Sequence, residues 1–159
     1  DLEKSNDDLR QFLKNSSTLA VAESFTSGLL SAKISSVSGS SNYFKGGFVT
    51  YQNSVKSDVL SVPKSLIIQK TEVSHEVAKK MAINTLNKFS SDYAISTTGY
   101  AGPNGGNKNC PVGTFFIAIA SRKKSISKKF FFNGNRSEIT NYAVEKAILF
   151  LFDFIKNKK

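Results

Sequence analysis

Apolar residues recur along this chain in two rhythms, helical spacing and short unbroken runs, and their alternation predicts the order of its elements. Leu9, Phe12 and Leu13 share one face of a helix over residues 3–14. Thr18–Ala22 is a short apolar run suited to a buried strand, and Leu29, Leu30 and Ile34 give helical spacing to Ser27–Val37. Gly46–Tyr51 reads as a second strand and Ser54–Leu60 as a short helix closed by Pro63. Ser74–Phe89 carries the clearest helical signature: Ser74 suits its N-cap, and Glu76 suits the positive end of its dipole. Tyr93–Thr97 is another buried strand, and Thr98–Pro111, rich in Gly, Pro and Asn, reads as a loop. Val112–Ala120 and Ser127–Phe132 predict a hairpin across a basic turn. A closing helix over residues 137–155 would bury Ile139, Ala143, Ala147, Leu151 and Phe154.

The order α-β-α-β-α-α-β-β-β-α, with helices between the early strands and a hairpin late, predicts an α/β fold with a mixed sheet covered on both faces. No linker, low-complexity tract or internal repeat interrupts the 159 residues, so 1–159 reads as one domain.

Composition narrows the classes. Apolar residues make up 40% and charged residues 21%, which suits a globular fold. The longest apolar run, Ala147–Phe152, is far too short for a membrane span, and the acidic, polar Asp1–Arg10 does not read as a signal peptide. One cysteine, Cys110, precludes an internal disulfide and suits a reducing compartment, so a cytoplasmic location is expected. A single cysteine and a single histidine argue against a zinc site built from those ligands, and no metal or cofactor is expected. His75 reads as an exposed residue at a helix start and Cys110 as a loop thiol.

The formal charge of +10 admits nucleic acid or a phosphorylated small molecule as partner. The lysines are scattered, however, with loose clusters only at 122–124, 128–129 and 156–159 and no interleaved aromatics. A solvated basic surface that concentrates an anionic substrate is the expectation, with neither nucleic acid nor membrane as partner.

Three segments carry candidate chemistry. In Ala22–Gly28 a buried strand meets a helix start, so the Ser24 and Thr26 hydroxyls stand beside unpaired N–H groups and a positive dipole. Helix capping alone also favours Ser and Thr there. In Phe48–Lys56, a strand ending at Tyr51 would let Lys56 lean from the next helix over the same crevice. A lysine acts as a base only when neutral, and lowering it from about 10.4 to about 7.5 takes on the order of 4 kcal/mol of burial or repulsion. An exposed lysine on a surface helix is the alternative. In Thr97–Gly106, glycines dense after a strand let backbone amides approach a ligand, although neither a Walker A nor a G-x-G-x-x-G pattern is present. Tyr100 there suits stacking on a ring or plain packing.

These segments occur in order with Gly47-Phe48-Val49-Thr50-Tyr51-x-Asn53-x-x-Lys56, Val73-Ser74, Gly99-x-Ala101-Gly102-Pro103-x-Gly105-Gly106, Pro111-Val112-Gly113-Thr114 and Gly134-x-Arg136. Together they resemble the CinA carboxy-terminal domain family, whose characterised members are nicotinamide mononucleotide amidohydrolases, over about Leu9 to Phe154. The resemblance implies a three-layer α/β/α sandwich with a mixed, mostly parallel sheet of about five strands. It implies metal-independent hydrolysis of the substrate's carboxamide, yielding nicotinic acid mononucleotide and ammonia. Ser24 would be the nucleophile and Lys56 the general base, with Tyr51 orienting the lysine or relaying a proton. Thr26, Thr98, Gly99, Gly102, Gly105 and Gly106 would line the substrate site, and Arg136 would meet the phosphate. A homodimer or higher homo-oligomer is expected from the same resemblance.

The chain departs from the family pattern at four places. Phe25 and Ser27 replace a cysteine and a glycine after the serine, Asn135 replaces an acid before Arg136, and Thr140 stands where a second arginine is common. A catalytically silent nucleotide-binding member, an amidase for a different phosphorylated amide, and a nucleic-acid-binding protein are the alternative readings.

Overall fold

The computed structural model describes residues 2–157. Its elements are α1 (Leu2–Lys14), β1 (Leu19–Glu23), α2 (Leu29–Ser35), β2 (Phe44–Val49), α3 (Asn53–Leu60), α4 (Lys64–Lys70), α5 (His75–Phe89), β3 (Tyr93–Gly99), β4 (Thr114–Ser121), β5 (Ser125–Phe131) and α6 (Arg136–Lys156). The strands form one five-stranded sheet in the order β2-β1-β3-β4-β5. β1 runs parallel to both β2 and β3, whereas β4 is antiparallel to β3 and to β5. β4 alone therefore opposes the other four, which is the mixed, mostly parallel sheet the resemblance implied.

The two faces of the sheet bury different side chains, because successive strand residues point to opposite sides. Leu19, Val21, Ile95, Ile117 and Ile119 meet α1, α2 and α6 through Leu9, Phe12, Leu30, Ile34 and Ile148. Where α5 crosses the other face the side chains are small: Ala94, Ala118 and Ala120 lie against Ala78, Ala82 and Leu86, and Ala22 against Val77 and Met81, with Phe116 the large residue of that cluster. Small side chains let α5 lie close, and the Ser96 hydroxyl donates to the Ala78 carbonyl across that gap at 2.5 Å. The closing helix buries Ile139, Ala143, Ala147, Leu151 and Phe154, the stripe that its spacing predicts.

Several boundaries moved for local reasons. The helix expected from Ser27 starts at Leu29, because Ser27 (φ 54°) and Gly28 (φ 101°) are both left-handed. Pro63 does not close α3. That helix ends at left-handed Ser61, and Pro63 precedes α4, a helix the pattern hid because Leu66, Ile67 and Ile68 are adjacent rather than helically spaced. The strand expected from Val112 begins at Thr114, after Gly113 at φ 100°. Ser74 does cap α5, accepting from the Val77 amide at 3.3 Å.

The connections place a crevice. α2 leaves β1 toward one face of the sheet, while α3 leaves the adjacent β2 toward the other. Neighbouring parallel strands whose following helices diverge open a gap at their carboxyl ends, the usual ligand position in such sheets. Ser24 stands one residue past β1, and Tyr51 stands two past β2. Among the described residues no helix is long and apolar enough to cross a membrane.

Candidate active site

The crevice holds a cleft of about 180 Å3. Ser24 and Phe25 reach it from the end of β1, Tyr51, Asn53 and Lys56 from β2 and α3, and Arg136 from the start of α6. Glu72 enters from the α4–α5 connection, and Thr98 to Gly102, with Asn104, from the end of β3 and the loop after it. Ser24 is set by backbone bonding: its N–H donates to the Thr97 carbonyl at 3.1 Å, extending the β1–β3 ladder by one residue. Ser24 is 6% exposed.

Lys56 is 1% exposed, among the largest fully buried side chains of the protein. Its Nζ donates to the Thr50 carbonyl at 3.1 Å, with the Tyr51 carbonyl and Asn53 Oδ1 each at 3.5 Å. Burial disfavours the ammonium and brings its pKa down from 10.5 to about 8, although the charge of Glu72 pulls the other way. Such an amine is neutral often enough near physiological pH to accept a proton. It shares the cleft with Ser24 but forms no hydrogen bond with the serine hydroxyl among the described residues.

Glu23 explains how the turn after β1 is held. Its side chain is fully buried and accepts from the amides of Gly28 (3.1 Å), Leu30 (2.8 Å) and Ser31 (2.9 Å) and from the Ser31 hydroxyl at 2.6 Å. The carboxylate thus occupies donors at the α2 N-terminus, the N–H groups expected to stand unpaired beside Ser24. The amides of Phe25 and Thr26, next to Ser24, have no acceptor among the described residues. Of those two, only Phe25 lines the cleft, so its amide is the oxyanion donor this turn can offer.

The remaining expected residues divide. Tyr51 lines the cleft, but its phenol accepts from Arg136 Nη2, so the residue meets Lys56 through its main-chain carbonyl. Arg136 also donates through Nη1 to the Gly102 carbonyl at 2.8 Å. Thr98 lines the cleft with its hydroxyl committed to the Glu72 carbonyl at 2.6 Å. Gly99 lines it too, and a side chain there would come within 2.5 Å of Phe115 Cβ on the paired strand.

Thr26, Gly105 and Gly106 do not line the cleft. Thr26 is fully buried with its hydroxyl on that of Thr97 at 2.8 Å, because the turn directs it into the sheet. Gly105 is exposed, and Gly106, at φ 82°, makes room for the Val112 amide and the Cys110 carbonyl of its own loop.

The departures from the family pattern have structural places. Phe25 is 4% exposed, its ring centroid 5.5 Å from that of Phe115, so it fills core volume beside the cleft. Asn135 forms a reciprocal capping box with Glu138 at the start of α6, a task for which asparagine equals aspartate. The Thr140 hydroxyl donates back to the Arg136 carbonyl at 3.0 Å. His75 is exposed, as expected, and its ring bonds Ser127 and meets Phe116 edge-on.

Sequence reasoning missed Glu72 and the capping role of Glu23. Glu23 was visible as an acid at a strand-to-helix turn, but Glu72 gave no signal, because its place in the cleft depends on α4. A larger open hollow of about 430 Å3 between α1 and the end of α2 brings together no serine with a buried amine.

A family model described as the CinA C-terminal domain matches residues 3–155. A CinA-like protein of Prochlorococcus marinus subsp. pastoris is 45% identical over 139 residues, covering 86% of this chain and 32% of that protein. Another CinA-like protein, from Flavobacterium psychrophilum, is 43% identical over 141 residues, covering 88% of this chain and 34% of its own length. The chain thus spans about a third of the length of the curated relatives it matches. Among solved structures, the competence damage-inducible protein A (ComA) of Klebsiella pneumoniae superposes with a TM-score of 0.95 at 26% identity, over 100% of this chain and 99% of that one. The competence/damage inducible protein CihA of Agrobacterium tumefaciens gives 0.91 at 30% identity, over 96% and 93%.

Proposed function

The chain belongs to the CinA C-terminal domain family, and on that premise we propose that it is a cytoplasmic amidohydrolase acting on nicotinamide mononucleotide. The observation that carries the reading is a fully buried lysine, its pKa lowered to about 8, opening onto the same cleft as Ser24. Neutral Lys56 takes the proton of Ser24 as Oγ attacks the carboxamide carbon. The oxyanion falls to the Phe25 amide, beside Ser24 in the cleft lining. Protonated Lys56 returns its proton to the departing nitrogen, ammonia leaves, and water hydrolyses the acyl-serine to a carboxylate. The cleft volume suits the nicotinamide end of the substrate, with the phosphate outside it against the exposed guanidinium of Arg136.

Incubation of the purified chain with nicotinamide mononucleotide should yield ammonia and nicotinic acid mononucleotide in equal amounts. Ser24→Ala and Lys56→Ala should each abolish release with the fold intact by circular dichroism. Near-normal turnover by either variant would overturn the assigned roles.

A catalytically silent nucleotide-binding member is the second reading, favoured by the direction of Lys56 Nζ toward the Thr50 and Tyr51 carbonyls. Thermal stabilisation by the nucleotide without ammonia release would select it.

A further inference from the structure

Glu72 is the one acidic residue among the described residues of the cleft lining, in a chain of net charge +10. It is half-buried and tied down: the Thr98 hydroxyl donates to its main-chain carbonyl at 2.6 Å, fixing the α4–α5 connection to the end of β3. Its carboxylate accepts from the Tyr100 phenol at 3.4 Å. No lysine or arginine among the described residues forms an ion pair with it, and Lys56 feels its charge only through space. The carboxylate has no ion-pair contact, and Lys56 of the same cleft balances it only at a distance, so a cationic ligand seated against it would supply a nearer partner.

The surroundings sharpen the chemistry of that ligand. The Tyr100 ring, half-buried beside the carboxylate, offers a π-face that also attracts cations. Glu72 enters from the helical layer on one face of the sheet, and Arg136 from the layer on the other. The cleft therefore presents an anion on one wall and a guanidinium on another. A zwitterion with a cationic ring and an anionic tail matches that arrangement, whereas a neutral-ring amide brings no charge to the Glu72 wall.

We propose that Glu72, supported by Tyr100, is a specificity residue that selects amides borne on a positively charged aromatic ring over neutral-ring amides of the same shape. The inference rests on the amidohydrolase reading and deepens it. An N-ribosylated pyridinium satisfies the criterion and its reduced dihydropyridine form does not, although the two share amide, ribose and phosphate.

The test is calorimetric titration of the Ser24→Ala protein, which holds ligand without turnover, with oxidised and with reduced nicotinamide mononucleotide. The oxidised form should bind about 10-fold tighter. Adding Glu72→Gln should remove that preference by weakening only the oxidised form, while Glu72→Asp, which keeps the charge, should retain part of it. Equal affinity for the two forms, or equal weakening of both by Glu72→Gln in a normally folded protein, overturns the inference and leaves the amidohydrolase reading standing. Failure to bind either form, together with no ammonia release from the unsubstituted chain, removes both.

Discussion

The guanidinium of Arg136 donates to the phenol of Tyr51, tying the first residue of α6 to the chain just beyond β2. The same arginine holds the Gly102 carbonyl, so one side chain joins three segments of the cleft rim. Tyr51 meanwhile supports Lys56 only through its backbone. The phenol and the buried amine therefore answer to different substitutions.

Tyr51→Phe should leave Lys56 in place and loosen Arg136. The expected result is a KM for nicotinamide mononucleotide raised about 10-fold with kcat within about twofold of normal. Steady-state kinetics checks this; a kcat lower by about 100-fold would instead make the phenol a proton carrier.

The reaction should depend on pH through Lys56. In the proposed mechanism the lysine works when neutral, and its pKa lies at about 8. Log kcat/KM should rise with unit slope up to that pH and level off above it, leaving about one-tenth of the plateau rate at pH 7. Ammonia release across pH 6–10 measures the midpoint, and a profile flat through pH 8 would exclude Lys56 as the base.

The buried lysine should cost stability. Its folded pKa is lower than the unfolded 10.5, so the unfolded chain binds more protons between about 8 and 10.5, and stability rises with pH across that window. Below it the charged amine costs about 3 kcal/mol. Lys56→Met removes that cost and loses a hydrogen bond worth about 1 kcal/mol. The variant should be inactive and about 1–2 kcal/mol more stable at pH 7 by urea unfolding, with the advantage shrinking above pH 8.

Glu23→Gln should be strongly destabilising, although Glu23 itself does not line the cleft. An amide cannot accept four donors as the carboxylate does, and it turns an NH2 toward N–H groups in a site sealed from water. A loss of about 2–4 kcal/mol is expected in urea unfolding. A loss of under about 0.5 kcal/mol would mean the turn keeps its shape by other means.

Much of the architecture was legible because its causes are local. Ser74 caps α5 through a bond to a residue three positions on, and α6 buries a stripe that helical spacing alone defines. Adjacent apolar residues hid α4 for the same reason: with no periodic stripe, its seven residues carried no local signature. The loop expected over Thr98–Pro111 begins only after Gly99, because Thr98 and Gly99 extend β3, and glycines alone do not say which backbone faces a ligand. Gly99 and Gly102 reach the cleft, whereas Gly105 and Gly106 serve the loop's own packing.

What the order of residues determined unaided was the alternation of strands and helices, and with it a serine and a lysine each following a strand. Periodicity and capping act over a few residues, so they are written in the chain itself. Only the tertiary structure decided that Lys56 loses its water, that Thr26 turns into the sheet, that Glu23 occupies the helix start, and that Glu72 stands in the cleft. Each of these depends on groups many positions away closing over the site, and desolvation and charge pairing take their values only once those groups are in place.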